Sequence, residues 1–211
     1  AIYRSNFVLF GLPLTISVFG DAASSVAAMV VTVVVTIYNT TSVVILEMFN
    51  SEGKTTVKSL LLNVAKNPLL QGAVVGLIFF FLGIKVPKSL LTPIAAFADM
   101  TSPLALFVLG GTLHFNAIRG NLKYLVPTLS FKLFALPALM LAIAYQFGLR
   151  ELELFLLLAI YGTPVAAASY PMAQNMGGDG ELAGQFVVIS TVVSVATLFV
   201  WIFFLKSVGL I

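Results

Sequence analysis

Ser5-Asn6 and Thr163-Pro164 are the pairs in this chain best suited to holding a polar ligand in apolar surroundings. A proline inside a helix removes a donor, frees a carbonyl and interrupts the hydrogen-bond ladder. Gly162-Thr163-Pro164 therefore predicts a broken helix. Ser5-Asn6 lies 158 positions before Thr163-Pro164. Each pair carries a hydroxyl, and Asn6 adds two donors and an acceptor. Half-helices that begin at such breaks turn free N–H groups and a positive dipole end towards a ligand, which suits an anion. The expected binding set is Ser5, Asn6, Gly162, Thr163 and Pro164. The competing structural account is that Pro164 kinks a packed helix and Ser5-Asn6 caps another.

Lys132 is the one basic residue deep within an apolar run. An ionisable group in that position is costly and is usually paired or functional. Asp99, in the fourth apolar run, is its expected charge partner. The pair would staple two helices. Otherwise Lys132 would attract an anionic ligand, or Asp99 would carry a coupled proton or cation. Asp21 and Asp179 follow glycines ahead of helices and read as N-caps. Thr32, Thr36, Ser190, Ser194 and Gly110-Gly111 read as small residues at close helix contacts. His114 reads as interfacial. The chain has no cysteine, so disulfides, thiolate metal sites and cysteine nucleophiles are excluded. We find no phosphate-binding loop and no metal-ligand cluster, and expect no metal, no cofactor and no enzyme activity.

The 158-residue offset extends well beyond these pairs. Pro13, Gly20 and Asp21 return as Pro171, Gly178 and Asp179. Thr32 meets Ser190, and Thr36 meets Ser194. Five apolar spans separate the copies, and an odd number of crossings inverts the second copy. Inverted repeats with interrupted helices are a signature of secondary transporters.

Composition fixes the solvent. Hydrophobic residues make up 60% of the 211 and charged residues 9%, against about 25% charged in soluble domains. The runs are too long and uniform for barrel strands. The expected fold is all-α and integral to the membrane, with about seven helices: Asn6–Phe19, Ser24–Phe49, Pro68–Ile84, Ser89–Leu113, Asn121–Phe147, Glu151–Met176 and Glu181–Leu205. The fourth is interrupted by Pro93, Asp99 and Pro103, the sixth around Gly162-Thr163-Pro164 and Pro171. A repeat unit of five helices divides the chain into 1–50 (the last two helices of a first repeat), a linker over 51–67, and 68–211 (a second five-helix repeat). This predicts the later part of a longer, ten-helix chain. Lys54, Lys58 and Lys66 place the linker in the cytoplasm by the positive-inside rule. Arg4, Arg119 and Lys123 then fall inside, and Lys85, Lys88, Arg150 and Lys206 outside. The net charge of +3 is spread over loops and gives no case for nucleic acid.

In order and spacing, Ser5 to Leu14, Asn67 to Leu77, Ser102 to Gly111, Lys132 to Pro137 and Gly162 to Tyr170 resemble the auxin efflux carrier family. That family includes bacterial malonate-type carriers and plant auxin exporters. The resemblance implies ten helices in two inverted five-helix repeats. It also implies a substrate site where the fourth and ninth helices cross, homodimers and carboxylate substrates. Asn6 and Pro164 would mark the crossover. Some plant members have proline before the asparagine, where this chain has Ser5. The expected activity is alternating-access transport of a small organic anion across the plasma membrane, a bacterial inner membrane, with coupling to a proton or sodium ion. A sodium-coupled symporter of bile-acid-carrier type is the alternative. An intramembrane enzyme would need clustered catalytic groups in the spans. A non-transporting sensor would bind without flux.

Overall fold

The computed structural model describes residues 2–50, 65, 68–112 and 115–211. Regular structure among them is helical, apart from one isolated antiparallel bridge. A π turn, Phe7–Gly11, leads into α1, Leu12–Phe19. α2 is Ser24–Asn50, α3 Pro68–Phe81 and α4 Lys88–Thr112. α5, Phe115–Ser130, passes through a π turn at Phe131–Ala135 into α6, Leu136–Gln146. α7 is Glu151–Gly162, α8 Ser169–Asn175 and α9 Gly180–Ser207.

Among the described residues, four helical stretches are long and apolar enough to cross a bilayer: Asp21–Phe49, Lys88–Gly111, Ile118–Gln146 and Gly180–Ser207. About 20 apolar residues are needed for a crossing. Phe7–Phe19 is shorter, as are α3 and the two halves of the broken sixth run. Side chains that would destabilise a soluble protein lie outward, with Phe107, Phe97 and Phe199 at 80%, 76% and 70% exposure. Such a surface needs an apolar solvent. The chain is an all-α membrane protein.

Each break has an identifiable local cause. Gly162 ends α7, and Thr163 turns extended at φ −72°, ψ 158°. Residues preceding proline are pushed into that region by the ring. Farther along, Pro137 leaves the Leu133 carbonyl without its usual i+4 donor. The Trp201 indole N–H from α9 donates to that carbonyl at 3.0 Å. At Gly11 an added Cβ would lie 2.3 Å from the Phe7 ring and 3.2 Å from Ala159. Glycine is what lets the first half-helix close on α7.

Three sequence expectations are corrected here. α4 runs unbroken through Pro93, Asp99 and Pro103, because each proline removes one ladder bond while its neighbours hold. Gly20, with φ 75°, occupies the cap position before the Asp21–Ala23 3-10 turn, so Asp21 makes no side-chain cap. Its counterpart Asp179 does cap, accepting from the Leu182 amide at 2.8 Å. An added Cβ at Gly110 or Gly111 would meet nothing within 4 Å among the described residues, so neither glycine marks a close contact here. His114 and the lysines of the 51–67 linker (Lys54, Lys58, Lys66) lie outside the described residues.

Candidate functional site

The two predicted breaks meet. Ser5 and Val165 form the antiparallel bridge. The Asn6 amide donates to the Pro164 carbonyl at 2.8 Å, and the Ala166 amide to the Arg4 carbonyl at 3.3 Å. Asn6 and Pro164 are also equivalent under the 158-residue offset. Antiparallel pairing about a two-fold axis brings equivalent residues face to face at its centre, and the Asn6–Pro164 bond has that property.

The crossing is buried. Ser5, Asn6 and Thr163 are 5%, 8% and 0% exposed, and Gly162 and Pro164 are also buried. Backbone groups freed by the breaks must find other partners in such a place. The Val165 amide donates to the Ser190 hydroxyl at 2.9 Å. The Thr163 hydroxyl donates to the Ala159 carbonyl at 2.8 Å. The Tyr161 carbonyl, whose i+4 amide is the one taken by Ser190, accepts from the Lys132 ammonium at 2.9 Å.

Lys132 is fully buried and also donates to the Ser5 hydroxyl. It thereby joins the π turn of the fifth run to both arms of the crossing. Asp99 is exposed at the wall of a cavity whose lining does not include Lys132, so the expected Lys132–Asp99 staple is replaced by a Lys132–Ser5–Tyr161 joint. A further correction concerns Arg4. Charge counting put it at the cytoplasmic surface, but it is 6% exposed, within the unwound segment beside Ser5. Its guanidinium donates to the Met172 sulfur and, at 3.0 Å, to the Asn39 side-chain oxygen. Its position directly before Ser5-Asn6 was the available signal.

Two cavities flank the crossing. One, of about 280 Å3, is lined by Asn6 to Leu9, which open the first half-helix, and by Ala166 to Ala168, which lead into α8. Asn39, Asp99 and Tyr38 complete its polar wall. The Tyr38 hydroxyl lies by Ser5 without a hydrogen bond of good geometry among the described residues. The other cavity, of about 250 Å3, is lined by Tyr3, Ser42, Ser169, Met172 and Asp179. Arg4 lines both.

The hydroxyl pairs of the repeat have diverged. Ser190 and Ser194 are buried in the core, as a close helix contact requires. Thr32 is exposed, and Thr32 and Thr36 return their hydroxyls to the Ala28 and Thr32 carbonyls of their own helix.

An unwound, buried, antiparallel crossing in a lipid-facing bundle points to membrane transport. A family model described as membrane transport protein matches residues 2–202. The chain belongs to this family, that of the auxin efflux carriers. Family membership identifies a multi-pass secondary membrane transporter. No curated protein matches the chain significantly.

Proposed function

We propose that this auxin efflux carrier family member moves a small organic anion, a carboxylate, across the plasma membrane by alternating access. The observation that carries the reading is the cavity of about 280 Å3 lined both by the start of the first helical turn, from Asn6, and by the segment that leads from the break at Pro164 into α8. The first turn after Asn6 has no side-chain cap, so its dipole end is available to a ligand. The volume falls just below the ~300–1,000 Å3 typical of drug-sized ligands, which favours a small substrate.

Ser5, Asn6, Gly162, Thr163 and Pro164 form the crossing that binds the substrate. Asn6 supplies the direct side-chain contact. Lys132 holds the geometry from behind, and Asp99 at the cavity wall is the candidate carrier of a coupled proton or sodium ion. The central Asn6–Pro164 pairing supports two inverted repeats, with 1–50 ending the first, 51–67 as linker and 68–211 as the second. On that plan the shorter apolar helices also cross, giving seven spans here of a ten-helix whole, which would pair as a homodimer.

Asn6→Ala tests the reading. It should weaken carboxylate binding about tenfold, as expected for one lost charge-assisted hydrogen bond, while expression is unchanged. Thermal-shift titration with mono- and dicarboxylates measures it, and equal affinities for wild type and variant would refute the assignment.

A further inference from the structure

We propose that Arg4 is the residue that selects a carboxylate, and that it serves both cavities in turn. The inference rests on the carrier reading above and deepens it by naming the charge that recognises the substrate.

Arg4 is more than nine-tenths buried. A buried cation is costly unless an anion or a full set of hydrogen bonds accompanies it. The guanidinium has five N–H donors. Among the described residues its partners are the Met172 sulfur and the Asn39 amide oxygen, neither of them anionic. Thioether sulfur is a weak acceptor. A forked, permanently charged donor is therefore held in place while donors remain for a ligand. Carboxylate is the group that matches the fork, through two parallel hydrogen bonds.

The position of Arg4 gives it a second property. α2 lines one cavity with Val35, Tyr38 and Asn39, and the other with Ser42, Ile45 and Leu46. Those stretches are centred about seven residues apart, or roughly 10 Å at 1.5 Å per residue. Arg4 stands in the wall of both. Asp99 and Asp179 also line these cavities, one in each, and both are exposed. Asp179 is already engaged by the Leu182 amide. Exposed carboxylates are screened by water and salt, whereas a buried guanidinium is screened far less, so Arg4 outweighs these two carboxylates, and the buried Lys132 ammonium behind Ser5 adds to the same positive field. An anion could pass from one cavity to the other without losing its counter-charge.

The test uses the full chain in detergent, titrated by thermal shift with butyrate, succinate and indole-3-acetate and with their uncharged amides. Wild type should bind at least one of these carboxylates in preference to its amide. Arg4→Gln should abolish that preference, a loss of about tenfold or more, and Arg4→Lys should restore only part of it. Asn39→Asp provides a second route should Arg4→Gln not fold. It sets a carboxylate beside the guanidinium at the 3.0 Å contact and should abolish carboxylate binding with Arg4 still present. Folded Arg4→Gln or Asn39→Asp protein with undiminished carboxylate preference overturns the role of Arg4 and leaves the carrier reading standing. Failure of wild type to bind any of the three carboxylates overturns both.

Discussion

Lys132 shows how much one side chain can stabilise when a helix breaks. Its ammonium joins the Ser5 hydroxyl to the Tyr161 carbonyl, and both acceptors are there because the backbone is open. Methionine at this position keeps the length and apolar stem but strands both acceptors. Losing a hydrogen bond from a charged donor costs about 1.5–3 kcal/mol, partly offset because no ion remains to be desolvated. Lys132→Met should therefore lower the melting temperature in detergent. An unchanged melting temperature with weaker carboxylate binding would instead put the ammonium in direct contact with substrate. Ser190 gives a sharper contrast with its neighbour. Its hydroxyl is the acceptor for the buried Val165 amide, whereas Ser194 only returns a bond to the Thr191 carbonyl of its own helix. Ser190→Ala should cost about 1–3 kcal/mol, the penalty for an orphaned buried donor, and Ser194→Ala much less. Comparative thermal melts of the two variants decide this.

Among the elements, the break in the sixth run was legible, and the fourth run was misread. Gly162-Thr163-Pro164 did stop a helix, because glycine and proline act together there and Ser190 waits to receive the freed amide. Pro93 and Pro103 did not stop α4. The same residue type thus gave opposite outcomes: at Pro164 a glycine acts two residues earlier and Ser190 and Lys132 receive the freed amide and carbonyl, whereas the ladder of α4 continues past both prolines. The bridge between Ser5 and Val165 is directly testable because the chain has no cysteine of its own. The bonds flanking this pair run from Asn6 and Ala166, which makes it the close, non-hydrogen-bonded kind, with Cα atoms about 4.5 Å apart. That spacing falls within disulfide range. Ser5→Cys with Val165→Cys should cross-link fully under mild oxidant, read as a mobility shift that reductant reverses. Absence of the cross-link in folded protein would remove the crossing.

For the whole molecule, the governing fact is an apolar exterior. Val195, midway along α9, is 69% exposed. On a soluble protein an arginine there would be tolerated or would aid solubility. Facing lipid at the centre of a crossing helix it costs about 2.5–3.5 kcal/mol. Val195→Arg should cut the membrane-inserted yield several-fold, measured by fractionation of expressing cells; an unchanged yield would mean that this face lines water or protein.

Composition and run length determined the all-α membrane class, because no soluble fold can cover so much apolar surface. The 158-residue offset located both breaks, because glycine, proline and the Gly-Asp turns carry backbone geometry in their identity. Which side chains would fill the crossing was decided only in three dimensions. Arg4 looked like a surface charge, Asp99 like a partner for Lys132, and Ser190 like a packing residue. A buried donor takes whichever acceptor the fold brings within 3 Å, and sequence separation holds no record of that distance.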